Sequence, residues 1–207
     1  MNQKNSMGLD ICFKDLDDPI HLFKEWFNEA NKSELNDPNA LALATADKSG
    51  IPSVRMVLLK DYNENGFVIY TNLESQKSNE IKINPVASMC FHWKSLLRQI
   101  RITGKIFKVS DKEADEYFNS RSYGSKIGAW ASRQSSELES RQELLDRWKK
   151  FKDRFQNEIP RPDFWGGFRI KPTEFEFWAE GQYRLHDRFL WKKSKNQSDW
   201  ESMRLNP

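Results

Sequence analysis

The sequence predicts an α+β fold, a mainly antiparallel sheet curled into a barrel with helices packed on its outside. Three observations lead there. Strand-like segments follow one another across short turns, the connection that antiparallel neighbours use. The 207 residues show no internal repeat, low-complexity tract or linker, so they read as one domain. Eight Trp and fourteen Phe supply the apolar area for a real core.

Residues 1–18 lack periodicity and read as a mobile N-terminal arm, leaving 19–207 as the domain. Asp18 and Pro19 open a helix, with aspartate at the cap and proline in the first turn. Leu22, Phe23, Trp26, Phe27 and Ala30 form its buried stripe. ALALATA (40–46), the turn DKSG and IPSVRMVLLK (51–60) read as a hairpin, and the turn DYNENG leads to a third strand, FVIYTN (67–72). Ser75 caps a short helix through Ile83, which Asn84 and Pro85 end. VASMCFHW (86–93) and LRQIRITGKIFKV (97–109) are two more strands around a short turn. SDKE (110–113) is a capping box that opens a helix to about Ser120.

The Gly-punctuated segment GSKIGAWAS precedes a longer helix over about 137–157. Leu138, Leu144, Leu145, Trp148, Phe151 and Phe155 form its stripe, and Pro160 and Pro162 close it. WGGFRIKP, FEFWAEG, GQYRLHDRF (181–189) and a short segment near Trp200–Leu205 complete the strands. In 181–189, strand alternation would put Gln182, Arg184, His186 and Arg188 on one face, with Tyr183, Leu185 and Phe189 on the other.

Composition narrows the function. Charged residues make up 30% and hydrophobic ones 38%, short of a disordered chain. A net charge of +3 permits an anionic ligand without implying a nucleic-acid surface. Cys12 and Cys90 have no metal-ligand spacing and fit a reduced, cytoplasmic setting. His21, His92 and His186 are scattered, so no metal site is expected. No apolar run approaches the ~20 residues of a membrane span, and MNQKNSMG is neither a signal nor a transit peptide.

Several polar clusters fall at strand ends or helix starts. RMVLLK carries Arg55 and Lys60 at its two ends, with Arg55 on the face of Val57 and Leu59. YTNLESQKS (70–78) runs from a strand into a helix N-terminus with hydroxyls and Lys77, a generic phosphate cradle. ASRQSSE (131–137) repeats that pattern with Arg133, Gln134, Ser135 and Ser136 at another helix start. Tyr117, Arg121 and Ser125 gather around a helix end. Each stretch alone reads first as an ordinary strand end or capped helix. Together they offer about two anion sites beside aromatic surface. Gly-rich nucleotide motifs are absent, and His186 has no readable nucleophile to activate. The pattern fits a bound organic cofactor that performs the hard step while the protein orients and neutralises charge.

RMVLLK, YTN, LRQ (97–99), SKIGAWAS, QSS, FWGGFR, EFW and above all RLHDRF resemble the pyridoxine/pyridoxamine 5′-phosphate oxidase family, in that family's order and over some four-fifths of the chain. The resemblance implies a homodimeric FMN-binding split barrel with FMN at the subunit interface. It implies oxidation of pyridoxamine or pyridoxine 5′-phosphate to pyridoxal 5′-phosphate, with O₂ reduced to H₂O₂. Carried over by motif, the FMN contacts are Arg55, Met56, Val57, Leu58, Leu59, Lys60, Tyr70, Thr71, Lys77, Gln99, Gln134, Ser135, Trp178 and Arg188. The substrate contacts are Lys60, Tyr117, Arg121, Ser125, Arg184 and His186, of which Arg184 and His186 are the catalytic pair over the flavin.

Two departures stand out. Where the family has Ser-Arg-Lys this chain has Ser75-Gln76-Lys77, and its N-terminal arm lacks the family's arginine and tyrosine. A related FMN split-barrel oxidase with another substrate is the alternative enzyme. A flavin- or pyridoxal-phosphate-binding protein without turnover is the alternative of another class.

Overall fold

The computed structural model describes residues 13, 18–156, 158–194, 196 and 199–207. Its first helix, α1 (Pro19–Ser33), starts where Asp18 accepts a hydrogen bond from the Ile20 N–H at 2.9 Å. Nine strands form one sheet: β1 (Ala40–Ala46), β2 (Pro52–Leu58), β3 (Asp61–Asn63), β4 (Gly66–Asn72), β5 (Val86–Trp93), β6 (Arg98–Lys108), β7 (Trp165–Ala179), β8 (Asp187–Lys193) and β9 (Trp200–Leu205). Every pairing is antiparallel, in the order β2-β1-β5-β6-β7-β4-β3, with β8 also on β7 and β9 on β8. The sheet curls until β2 approaches β4, and just beyond β2 the Lys60 N–H donates to the Val68 carbonyl of β4 at 2.9 Å. Leu41, Leu43, Phe67, Phe91, Ile100 and Phe177 fill the interior, and α1 adds Phe23 and Trp26.

The remaining helices are α2 (Gln76–Ile83), α3 (Asp111–Ser120), α4 (Tyr123–Ala131) and α5 (Arg141–Arg154). A second, smaller core forms where Phe118 and Ile127 meet Trp165 and Ile159, with Trp130, Trp148, Phe151 and Phe155 packed against it.

Four expectations change. WGGFRIKP and FEFWAEG are one strand, because β7 runs through a β-bulge between Thr103 and Gly104 of its neighbour. A Cβ on Gly104 would lie 2.3 Å from the Lys171 carbonyl oxygen, so only glycine permits that approach. GSKIGAWAS lies largely in helix α4. The long helix begins only at Arg141, since Ser140 accepts from the Glu143 N–H and forms a later cap than the hydrophobic stripe implied. Residues 132–140 are therefore loop, and Gln134 and Ser135 sit in a tight turn with Ser135 at φ 71°, not at a helix start.

The fourth change is in GQYRLHDRF. Residues Gln182–Arg184 form a single 3₁₀ turn, and β8 begins only at Asp187. Tyr183 and Arg184 have φ of 56° and 65°, and the Leu185 N–H closes on the Gln182 carbonyl. The expected face of Gln182, Arg184, His186 and Arg188 does not exist, because the chain doubles back on Gly181. A Cβ on Gly181 would stand 1.9 Å from the Leu185 carbonyl oxygen.

Of the expected arm, residues 1–12 and 14–17 lie outside the described residues. Phe13 is buried in the core, with its ring 5.3 Å from Trp26 and 4.6 Å from Phe189. No described helix is long and apolar enough to cross a membrane.

Candidate active site

A cavity of about 970 Å³ opens between the β2 edge, the β4–α2 junction and helices α3 and α4. That is room for a cofactor and a small substrate. Of the residues expected from the sequence, Arg55, Met56, Val57, Leu58, Lys60, Tyr70, Thr71, Lys77, Tyr117, Arg121, Ser125, Gln134 and Ser135 line it. Leu59 does not; its side chain turns into the core. Sequence reasoning missed Ser53 and Trp165, both also in the lining. Alternation along β2 could have found Ser53, which shares a face with Arg55.

The cations in this cavity are held differently from one another. Lys77 is 6% exposed, and its ammonium donates to Thr71 Oγ1 (3.1 Å), Ser75 Oγ (3.0 Å) and Gln134 Oε1 (3.1 Å). All three acceptors are neutral. Burial, aided by the nearby Arg55 charge, pulls the Lys77 pKa down to about 8 against a weaker opposing pull from Glu80. Arg121 is also half-desolvated, which lowers its pKa, and its Nη1 is buried with no hydrogen-bond partner. Among the described residues no carboxylate forms an ion pair with Lys77 or Arg121. A buried cation with no bonded anion is costly unless something negative arrives.

Arg55 is anchored. Its guanidinium bonds Thr45 and Ser53 and lies 3.3 Å from Glu80 Oε2. The buried Glu80 carboxylate also accepts from Thr45, from Ser53 at 2.6 Å and from Gln76 at 2.8 Å. Burial alone would raise its pKa, but these hydrogen bonds and Arg55 outweigh it and hold the group down at about 2. With its folded pKa depressed from 4.5, Glu80 contributes stability above pH 4.5 that is lost as the pH falls toward 2. The contribution is on the order of 3 kcal/mol. Thermal melts between pH 6 and pH 2.5 should show the wild type losing about that much more than Glu80→Gln. Parallel pH curves for the two proteins would refute it.

Gln99, Trp178, Arg184, His186 and Arg188 do not reach this cavity within one chain. They lie on β6, β7 and β8 and on the turn that joins β7 to β8, a second group. Gln99 pairs opposite Trp178, and Trp178 opposite Arg188, so the three share one face of the sheet. The His186 ring packs 4.6 Å from Trp178. Its Nδ1 accepts the Gly181 N–H at 3.3 Å, which leaves Nε2 as the ring's donor. Arg188 grips the buried Glu176 through Nε (3.0 Å) and Nη2 (2.9 Å), and reaches the Asn206 carbonyl. Arg184 is exposed, between the exposed side chains of Tyr183 and Leu185.

Residues 27–155 match the family model for pyridoxamine 5′-phosphate oxidase. The chain belongs to the pyridoxamine 5′-phosphate oxidase family. Residues 165–207, which carry the second group apart from Gln99, match the C-terminal dimerisation region of pyridoxine 5′-phosphate oxidase. The pyridoxine/pyridoxamine 5′-phosphate oxidase of Pelagibacter ubique (strain HTCC1062) is 57% identical over the whole of both chains. The protein of the same name from Allorhizobium ampelinum is 53% identical over 94% of this chain and 95% of its own. Among solved structures, PhzG from Burkholderia lata 383, in complex with tetrahydrophenazine-1-carboxylic acid, superposes with a TM-score of 0.90 at 30% identity. It covers 96% of this chain and 97% of its own. The oxidase family therefore explains the split barrel: one curled sheet, helices on its flank, and a cavity beside the β2 edge.

Proposed function

We propose that this protein is a pyridoxine/pyridoxamine 5′-phosphate oxidase, using FMN to convert either substrate to pyridoxal 5′-phosphate. One observation carries the reading: the buried Lys77 and the half-buried Arg121 face one cavity, and among the described residues no carboxylate is paired to either. Two phosphates, one on the flavin and one on the substrate, are what such a pair would hold. Lys77 with Thr71, Gln134 and Ser135, helped by Arg55, would take the FMN phosphate. Arg121, Tyr117, Ser125 and Lys60 would take the substrate phosphate. When bound, FMN supplies the two-electron acceptor and passes the pair to O₂, which yields H₂O₂.

The second group completes the site in a homodimer, in which Gln99, Trp178, Arg184, His186 and Arg188 of one subunit face the cavity of the other. The match to a dimerisation region and the exposed apolar face of β2 (Val54, Met56, Leu58) support this arrangement. Arg184 and His186 would then orient the substrate ring, with the His186 Nε2 donor as a positioning hydrogen bond. Gln76, in the place of the family's arginine, donates to Glu80 and brings no charge, so the FMN phosphate relies the more on Lys77 and Arg55. Cavity cations suited to a phosphate favour phosphorylated substrates over the unphosphorylated ring held by PhzG. A cytoplasmic setting belongs to the same reading, supported by the free Cys90.

The test follows flavin and mass together. Purified protein should release FMN on denaturation, and anaerobic pyridoxine 5′-phosphate should bleach the bound flavin. Light scattering should show FMN occupancy rising with the dimer fraction. A stable monomer holding a full complement of FMN would overturn the shared site.

A further inference from the structure

We propose that Trp165 is a positioning residue for Arg121, supporting the guanidinium on an aromatic face so that the substrate phosphate becomes its counter-ion. The proposal rests on reading the cavity as the site of a phosphorylated substrate.

The arginine Cζ lies 4.9 Å from the Trp165 ring centroid and 5.6 Å from that of Phe118. Other buried or half-buried arginines in this protein are held by carboxylates: Arg55 by Glu80, Arg98 by Glu29, Arg161 by Asp111 and Asp115, Arg169 by Glu113. Arg121 stands on rings instead, with Nη1 buried and unbonded.

The chemical difference matters. A carboxylate would occupy the in-plane N–H fork and cancel the charge that a phosphate needs. A ring face stabilises the cation from above and leaves every in-plane donor available. For this to position Arg121, the ring must itself be fixed. Trp165 lies parallel to Tyr70 (2°, 5.6 Å) and to Tyr117 (4°, 6.1 Å), and Phe118 packs edge-on at 5.0 Å. Its carbonyl accepts from Arg161 Nη1 at 2.7 Å, and Arg161 is tethered in turn by Asp111 and Asp115. Arg121 sits at the C-cap of α3, its N–H bonded to the Phe118 carbonyl. Both partners are held at the backbone, so the ring sets where the guanidinium rests.

The experiment compares pyridoxal 5′-phosphate with pyridoxal, the same ring without phosphate, as ligands of the FMN-loaded protein. Trp165→Leu should weaken pyridoxal 5′-phosphate about tenfold, in line with a desolvated cation–π contact. Pyridoxal and FMN affinity should stay within about twofold, and KM for the phosphorylated substrate should rise with kcat unchanged. Trp165→Phe, which keeps a ring, should lose less, again on the phosphorylated ligand alone, and it stands in if the leucine variant fails to fold. Equal weakening of both ligands in either variant, or no change in either, would overturn the role. Arg121→Ala separates the layers. If it too leaves the preference for the phosphorylated ligand unchanged, the reading of the cavity is what fails, and this role with it.

Discussion

Replacing Lys77 with methionine is expected to weaken FMN binding by about two orders of magnitude and to leave riboflavin, which lacks the phosphate, almost unaffected. The lysine is buried on neutral acceptors, so a phosphate dianion would be its first fully charged hydrogen-bond partner. Removing one side of a desolvated charge pair costs about 2–5 kcal/mol, or roughly 30-fold or more in affinity. Methionine fills the volume and introduces no unmet polar group. The wild type should also show a pH signature. With the free Lys77 pKa near 8, binding above that pH requires proton uptake, so the FMN Kd should rise toward tenfold per pH unit. The groups bearing on Lys77 are Arg55 and Glu80, and the Glu80 carboxylate is already ionised near pH 2, so it does not titrate in this window. Fluorescence titrations with FMN and riboflavin from pH 7 to pH 9.5 decide the point. An equal loss for both flavins, or a flat wild-type profile, would contradict the assignment.

Arg184→Ala should lower kcat/KM by about 10- to 100-fold while the protein stays yellow. A charged hydrogen bond is worth roughly 1.5–3 kcal/mol, which sets that range. Arg184 is exposed in a 3₁₀ turn at φ 65° and makes no ion pair among the described residues, so its loss removes little from the folded monomer. Alanine meets the same backbone strain as arginine there. Arg188→Ala should behave differently. Arg188 is tied to the buried Glu176, whose other bonded cation is Arg101 at 2.9 Å, so the substitution should reduce FMN retention and cost stability together. Steady-state rates set beside flavin content distinguish the two, and exchanged phenotypes would reverse the assignment.

Local pattern sufficed for much of this molecule. The cap at Asp18, the β1–β2 hairpin, the alternation that puts Arg55 on the face of Val57, and the cap at Ser110 each depend on residues a few positions apart. Backbone geometry gives those signals a fixed period, so they are readable in one dimension. The residue types of the candidate site were legible for the same reason, since cations and hydroxyls at strand ends and helix starts mark themselves.

Contacts between distant residues decided the rest. The alternation of GQYRLHDRF promised a strand, but Gly181 meeting Leu185 overrode it and made a turn. Whether a lysine or arginine has a counter-ion depends on what the fold brings to it: Arg55 found Glu80, 25 positions along, whereas Lys77 and Arg121 found neutral oxygens and rings. The separation of the site into two groups is likewise a property of the curled sheet, because β2 and β4 line the cavity while β6, β7, β8 and the turn between β7 and β8 carry Gln99, Trp178, Arg188, Arg184 and His186 elsewhere. Sequence determined which groups are available and their local conformation. Tertiary structure alone decided which charges are desolvated without a counter-ion, because desolvation and pairing depend on the surroundings that folding assembles around each group.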